Sequence, residues 1–367
     1  VEEAKLDVEG ELTRRGRDSI TAANDLAYQI AFAKHPYRRP AAGTSSSVEA
    51  LTVARVRAYH QMRYVGANIT VVVVGDAAPD TMHKLIAQHF ATASAVIKPE
   101  APVAVENKPL AFRSVTRRIP GAAPAIILAF RSPAVKVPAD AVALDLLLAY
   151  WREGRDARMR RVLLGSQQLA PSADGAAPDS PSGDNPPGDG TPGGESPGAT
   201  PAPREPLALG YDVDYLTQRD PGLFMISLVV EPDKRAAAVK ATLDEIARVQ
   251  RDGLDAAALQ HAKAALTYQY VGQSGTVSGQ AGALGFYDMI DSYQFAVTYL
   301  QRVAHVGAAD VKRVADKYLS RTAYVQAVIE PEPIPPDRLP GEGTGAITAG
   351  LDLHLDTSRA LTGRRKE

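Results

Sequence analysis

One segment of the sequence, residues 171–203, contains no Val, Ile, Leu, Met or aromatic residue. It consists mostly of Pro, Gly, Ser, Ala and Asp, and such a composition cannot bury enough apolar surface to offset the entropy of ordering it. We therefore predict a disordered surface insertion, which a fold tolerates because loop-closure entropy grows slowly with length. The core must be built from the residues on both sides of it.

The bulk composition is that of a globular protein. The chain has 367 residues, which favours two domains over one, with 45% apolar and 23% charged residues. A net charge of -1 provides no bulk field that favours nucleic acid or an anionic membrane. There are no cysteines, so a metal would have to be held by His, Asp or Glu. No run reaches the roughly 18 apolar residues of a membrane-spanning helix.

The chain opens with Val1 inside a charged helical pattern, without the features of a signal peptide. We expect further sequence upstream of this residue. The sequence does not distinguish a periplasmic from a cytoplasmic location, because the lack of cysteine fits both compartments.

Hydrophobic periodicity predicts alternating helices and strands. In the first half it predicts helices over about 2–32 and 48–64, a buried β-branched strand over 68–76, and a helix over 80–90. In the second half it predicts a strand at 123–131, a helix at 140–151, a β-hairpin (209–216 and 223–231) turning at Asp220-Pro-Gly222, five helices between 233 and 319, and a strand at 323–329.

The order helix, turn and β-branched strand occurs twice, at 48–76 and again at 308–330. A duplicated α+β unit explains this order. Chance explains it as well, because helix–turn–strand units are common.

The sequence holds no complete catalytic motif. None of its seven histidines falls into the zinc-binding patterns H-x-x-E-H or H-E-x-x-H. No G-x-S-x-G or phosphate-binding loop is present. Most of these histidines are therefore predicted to be surface or helix residues without a chemical role.

Several short motifs together resemble the pitrilysin/insulinase family of zinc metallopeptidases, the inverzincins that include the mitochondrial processing peptidases. They stand in family order over about residues 1–331, apart from the insertion. The motifs are His35-Pro-Tyr-Arg-Arg-Pro40, Gly43-Thr44, the Tyr64 to Asn68 spacing, Val72-Val-Val-Gly75-Asp76, Asp220-Pro-Gly-Leu-Phe-Met-Ile-Ser227 and Gly253-Leu-Asp-x-x-x-Leu-x-x-Ala-Lys263.

The resemblance implies an α+β fold of two related domains, each an antiparallel-rich sheet covered on one face by helices. Residues 1–94 would be the C-terminal part of an incomplete first domain, and 95–108 a linker. Residues 109–330 would form the second, substrate-facing domain around the 171–203 insertion. Residues 331–367 would be a tail or linker.

The resemblance also implies a zinc site with two His of H-x-x-E-H and a third ligand, a Glu, about 75 residues downstream. In the helix that resembles this third-ligand helix, Val8 and Leu12 set the register, and Glu11 falls on the ligand position. The alternative is that Glu11 is an ordinary surface carboxylate. The sequence departs from the family at Ala4, where a Glu next to the metal site is common, which puts metal affinity in question.

Two substrate-contacting residues are implied as well, an Arg and a Tyr that hold the substrate backbone and the developing oxyanion. Arg204-Glu-Pro-Leu-Ala-Leu-Gly-Tyr211 matches their spacing. Another register uses Gln168-Leu169-Ala170, before the insertion, and would put Leu164 in place of the Arg.

The family's activity is zinc-dependent endopeptidase hydrolysis of peptides or unfolded segments. The resemblance implies this activity for the full-length protein, with this chain alone inactive because it lacks H-x-x-E-H. The alternative is a non-catalytic partner subunit of a heterodimeric peptidase, and a third reading is an unrelated pair of α+β binding domains. The expected partners are a peptide substrate and, in a homo- or heterodimer, another family member, but not nucleic acid.

Overall fold

The computed structural model describes residues 1–90, 103–106, 112–152, 157–165 and 205–333. Arg204, the predicted insertion and most of the predicted linker and tail lie outside these residues. The described helices are α1 (Glu2–Arg17), α2 (Ser19–Ala31), α3 (Ser45–Glu49), α4 (Val53–Arg63), α5 (Pro79–Phe90), α6 (Pro138–Arg152), α7 (Arg158–Leu164), α8 (Arg235–Asp252), α9 (Ala256–Ser274), α10 (Val277–Ile290), α11 (Gln294–His305) and α12 (Ala308–Tyr318). The described strands are β1 (Arg113–Pro120), β2 (Ala125–Arg131), β3 (Gly210–Tyr215), β4 (Leu223–Val229) and β5 (Val325–Glu332).

The strands form one five-stranded sheet in the order β1-β5-β2-β4-β3. Only β1 and β5 run parallel, and the other neighbours are antiparallel. This arrangement confirms the α+β class and the antiparallel-rich sheet. The predicted hairpin is also confirmed, because β3 and β4 pair directly on either side of Asp220-Pro-Gly222.

The central strands β2 and β4 are buried along their whole length. Their apolar runs are therefore continuous and do not alternate, as expected for strands covered on both faces. On one face they pack against the helices of the second half, with the fully buried Trp151, Leu144 and Leu147 of α6 at the centre. This face holds the larger of the two apolar clusters of the described residues.

Helix α2 covers the opposite face of the same sheet. Its small and apolar residues Ala23, Leu26 and Ala27 pack against alternate residues of β2 and β5, such as Ile127 and Ala327. Small side chains allow close approach of the helix to the sheet, and the strand period of two directs one set of residues to this face. The helices of the second half therefore cover one face of the sheet, and α2 covers the other face.

The predicted strand over 68–76 is wrong. Residues 69–74 form neither helix nor strand, and no strand pairs with them in the part of the chain that the structure describes. Val71 and Val73 are 44% and 49% exposed, and Thr70 Oγ1 donates a hydrogen bond to Asp288 Oδ2 of α10 at 3.0 Å. β-Branched residues favour an extended backbone, but a strand needs a neighbour that takes its hydrogen bonds.

None of the described helices has both the length and the apolar character that crossing a bilayer requires.

Candidate functional site

Glu11, the predicted metal ligand, lies on α1, a helix with no buried residue. Its carboxylate accepts hydrogen bonds from Arg14 Nε at 2.9 Å and from Arg14 Nη2 at 2.7 Å, and its side chain is 40% exposed. The pair joins positions i and i+3 of one helix, a common surface arrangement of modest strength. Arg14 thus occupies the carboxylate that the prediction assigns to a metal.

Within the described ranges, no group of three or more His, Cys, Asp or Glu side chains is arranged to hold a metal ion. A catalytic zinc site takes about three protein ligands and keeps a position for water. These residues alone therefore do not form a zinc site.

Tyr211, the predicted substrate contact, lies on β3 and is half-buried. Its hydroxyl donates a hydrogen bond to the carbonyl oxygen of Trp151, near the end of α6, at 3.0 Å. Holding an oxyanion would require the same hydroxyl to donate to the substrate, because an oxyanion only accepts. In this structure the hydroxyl joins the edge strand to the central helix. Arg204, its predicted companion, lies outside the described residues.

A buried carboxylate stabilises the elements behind Tyr211. The side chain of Glu245 in α8 is only 2% exposed, and it accepts hydrogen bonds from Trp151 Nε1 at 3.2 Å, Arg158 Nε at 2.8 Å and Arg248 Nη2 at 2.9 Å. These three donors satisfy a charge that would be costly to bury alone. Glu245 thus joins helices α6, α7 and α8, and α6 and α7 both pack against β3.

The outer edge of β3 is one of two open edges of the sheet. In the described residues β3 pairs only with β4, and β1 pairs only with β5. An unpaired strand edge presents N–H and C=O groups to which an extended peptide can add as another strand. Tyr211 lies on one of these two edges.

Sequence reasoning missed Asp145, a carboxylate in the apolar middle of helix α6. It accepts a hydrogen bond from the Tyr299 hydroxyl at 2.8 Å. Burial raises the pKa of Asp145 to about 7, and the hydrogen bond from Tyr299 only partly opposes this. The sequence signal was present, because Asp145 is the one charged residue in the run 141–150.

The sequence motifs at His35-Pro-Tyr37 and Asp220-Pro-Gly222 meet in space. His35 Nε2 lies 3.4 Å from Asp220 Oδ2, and the Tyr37 hydroxyl accepts a hydrogen bond from the Asp220 backbone N–H at 3.3 Å. His35 is buried, and its Nε2 lies close to Asp220 without forming a hydrogen bond with it. The N-terminal part is therefore fixed to the tip of the β3–β4 hairpin.

Glu106 strengthens this contact region. It accepts hydrogen bonds from the backbone N–H groups of Lys34 at 2.7 Å and His35 at 3.0 Å. Burial raises the pKa of Glu106, but the backbone hydrogen bonds outweigh it and bring the pKa down to about 2. The carboxylate is thus charged at neutral pH and holds the turn that carries His35.

Two sequence relatives carry the name zinc protease. An uncharacterized zinc protease of Mycobacterium tuberculosis is 25% identical over 324 residues, which cover 88% of this chain and 65% of the relative. Another from Mycobacterium leprae is 34% identical over 80 residues, 22% of this chain and 18% of the relative. The chain therefore spans less than two-thirds of the length of these curated relatives.

Solved structures share the fold. A protease from Helicobacter pylori superposes with a TM-score of 0.71 at 19% identity, over 89% of this chain and 70% of the other. A peptidase M16 inactive domain from Pseudomonas fluorescens does so with a TM-score of 0.69 at 19% identity, over 91% and 71%. The family described as Peptidase M16 inactive domain matches residues 50–184 and 204–266, more than half of the sequence. The chain therefore belongs to the M16 peptidase family.

Proposed function

We propose that this chain is the substrate-facing part of a zinc-dependent endopeptidase whose metal-binding H-x-x-E-H motif is supplied from outside these 367 residues. Support comes from the curated relatives, which carry the name zinc protease, and from the family description, which calls the matched domain inactive. The absence of H-x-x-E-H from the sequence agrees with both.

The observation that carries the proposal is the open edge of β3 with Tyr211 on it. An extended peptide would pair with this edge through its backbone, so recognition would depend on an extended conformation more than on particular side chains. Unfolded segments and short peptides meet this requirement, whereas folded proteins do not. Tyr211, together with Arg204, would contact the backbone of the bound peptide.

Glu11 is proposed as one carboxylate of the zinc site. Arg14 would then have to release it, which is feasible for an exposed pair because such pairs contribute only about 0–1 kcal/mol. The other donors would come from the segment or subunit that carries H-x-x-E-H.

A second candidate is a non-catalytic partner subunit of a heterodimeric M16 peptidase. The description of the matched domain as inactive favours it. The two candidates differ in where H-x-x-E-H resides, in the same polypeptide or in another one.

The test uses the product of the full reading frame, with zinc content measured by elemental analysis and hydrolysis measured on fluorogenic peptides. The proposal expects bound zinc and hydrolysis that a chelator abolishes. Glu11→Gln should lower zinc content and hydrolysis together, because the amide is a poorer ligand than the carboxylate. Glu3→Gln, a change of another exposed carboxylate on α1, serves as the matched control and should alter neither.

Each outcome assigns a role. Unchanged zinc in Glu11→Gln would reject that residue as a ligand without touching the peptidase assignment. A full-length product without zinc and without activity, which gains activity only on addition of a zinc-containing family member, would favour the partner subunit. Chelator-sensitive hydrolysis by the 367-residue chain alone would overturn the proposal that H-x-x-E-H is supplied from elsewhere.

A further inference from the structure

Strand β1 is an open edge of the sheet, and its hydrogen bonds to β5 show which backbone groups face outward. The Arg113 N–H donates to the carbonyl oxygen of Tyr324 at 3.1 Å, and the Gly121 N–H donates to that of Glu332 at 3.0 Å. The odd-numbered residues of β1 therefore bond to β5. Because the bonding direction alternates along a strand, the even-numbered residues turn their N–H and C=O groups away from β5.

Three residues of β1 carry these outward groups: Ser114, Thr116 and Arg118. All three are exposed, and within the described ranges no strand lies on their outer side. Pro120 is the next residue that faces outward, and proline fits an edge strand where its missing N–H would point to solvent. Residues 114–118 therefore form an open backbone edge to which an extended polypeptide can add as another strand.

The side chains of β1 on the face of α2 alternate between arginine and aliphatic residues. In chain order they are Arg113, Val115, Arg117 and Ile119. The β5 neighbours of the first three are uncharged and belong to the apolar cluster that α2 covers. Two positive charges thus lie on either side of Val115, which is 40% exposed.

The arginines on the two faces of β1 differ in their partners. On the face opposite α2, Arg118 Nε lies 3.4 Å from Glu330 Oε2 of β5. On the face of α2, Arg113 donates to an uncharged group, the carbonyl oxygen of Ile30, at 3.3 Å. Among the described residues, Arg117 has neither a hydrogen bond nor an ion pair and is exposed. This face therefore carries positive charge that an acidic partner can neutralise.

We propose that β1 binds an extended acidic segment of a partner polypeptide, which adds to the sheet as a further strand. The segment has the pattern acidic-x-apolar-x-acidic, because its acidic residues lie opposite Arg113 and Arg117 and its apolar residue lies opposite Val115. In an extended chain the two acidic residues are about 13 Å apart, as are the two arginines. The pattern is the same in both directions, so a parallel and an antiparallel segment both fit.

Charge disfavours other pairings. A second copy that paired through its own β1 would place arginine opposite arginine, and directly opposed like charges destabilise a strand pair. The acidic segment is repelled at the other open edge, because β3 carries Asp212 and Asp214. Charged edge strands resist association with neutral or basic strands, whereas an acidic strand is attracted. The inference uses only β1 and its neighbours and does not depend on the peptidase assignment.

Fluorescence anisotropy with the 367-residue chain tests the pattern. The probe is a labelled peptide, T-E-T-V-T-E-T-S, in which threonine favours an extended backbone. It should bind saturably, and T-K-T-V-T-K-T-S should not bind. T-V-T-E-E-T-T-S, which has the same composition and different spacing, should bind about tenfold more weakly. Equal binding of the two acidic peptides, or no saturable binding of the first, would overturn the proposal.

Variants of the protein separate backbone pairing from charge. Thr116→Pro removes one outward N–H without removing a hydrogen bond to β5 and should abolish binding, whereas Thr116→Val keeps the N–H and should bind normally. Arg117→Glu should weaken binding of the acidic peptide about tenfold, and Arg57→Glu, at an exposed arginine of α4, should not.

An exchange of charges keeps the test independent of how well the proline variant folds. The double variant Arg113→Glu with Arg117→Glu should bind T-K-T-V-T-K-T-S in place of the acidic peptide, because the attraction is restored with opposite signs. A double variant that binds neither peptide, or that still binds the acidic one, would contradict pairing at these two residues.

Hydrogen exchange locates the bound peptide. Saturating T-E-T-V-T-E-T-S should slow exchange of the backbone amides of Ser114, Thr116 and Arg118 about tenfold. The amides of Val115 and Arg117 face β5 and serve as internal controls. Slower exchange in β3 instead, or in neither strand, would overturn the proposal. So would a dimer that forms without peptide and is lost in Thr116→Pro, because a second copy would then occupy β1.

Discussion

The guanidinium carbon of Arg131 lies 3.9 Å from the centre of the Phe32 ring, and Arg131 Nη2 donates a hydrogen bond to the carbonyl oxygen of Ala31 at 2.7 Å. Arg131 ends β2, and Ala31 and Phe32 end α2. Burial lowers the pKa of Arg131 to about 10, so the group stays charged at neutral pH. One side chain thus fixes the N-terminal helix to the central sheet.

Arg131→Lys should lower the free energy of unfolding by about 1–2 kcal/mol, because an ammonium cannot stack flat on Phe32 while donating to Ala31. Urea denaturation followed by circular dichroism measures the change. The same exchange at the exposed Arg57 should be neutral. An Arg131→Lys protein as stable as the wild type would mean that α2 is held by its apolar face alone.

Leu26→Ala should destabilise the protein by about 2–4 kcal/mol, since it removes a side chain that is only 5% exposed between α2 and the sheet and leaves a cavity. Leu6→Ala on α1, where the leucine is 74% exposed, is the matched control. Thermal or urea unfolding of both variants gives the comparison. Equal, small effects would contradict the packing of α2 on the second face of the sheet.

Asp145→Asn should change the pH dependence of stability. The pKa of Asp145 in the folded state, about 7, lies above the unfolded value of about 3.9, so the folded state keeps a proton that the unfolded state loses between these values. The free energy of unfolding of the wild type therefore falls as pH rises from about 4 through 7.

The amide of Asn stays neutral and still accepts from Tyr299. Because Asp145 keeps partial solvent exposure, we expect the variant to be more stable by on the order of 1 kcal/mol at pH 8 and nearly equal at pH 4. Urea titrations at both pH values measure this difference, with Asp233→Asn, at an exposed aspartate, as the control. A constant difference between the two pH values would exclude a raised pKa.

Tyr211→Phe should lower stability by about 1 kcal/mol through loss of the hydrogen bond to Trp151. If Tyr211 also contacts the bound peptide as proposed, the full-length product should lose kcat/KM beyond what the stability change explains. Tyr268→Phe, at a tyrosine that is 84% exposed, controls for loss of a hydroxyl. Unchanged hydrolysis in a folded Tyr211→Phe protein would leave the residue a structural role only.

Local signals predicted much of the second half. The side chains of Asp255 and Thr276 accept hydrogen bonds from N–H groups of the first turns of α9 and α10, which shows that these helices begin through local chemistry. The hairpin followed from the turn at Asp220-Pro-Gly222. The order of the short motifs along the chain was enough to predict the fold class and the peptidase family.

The site was less predictable. The family resemblance implied Glu11, Arg204 and Tyr211 as site residues. A motif cannot say which donor binds a carboxylate, and in the structure Arg14 binds Glu11. Asp145 was visible as a charge in an apolar helix, yet its raised pKa depends on burial and on Tyr299, which is 154 residues away in the chain.

The sequence by itself determined the long helices of the second half, such as α8 and α9, and the continuous apolar character of the central strands, because propensity, caps and turns act over a few residues. Tertiary structure alone decided pairing and contact. The Arg-rich β1 is a strand because β5 takes its hydrogen bonds, whereas 69–74, with a stronger strand pattern, has no partner in the described residues. The face of α2 was likewise decided by the sheet that it covers, since long-range burial, and not local preference, supplies the free energy of that contact.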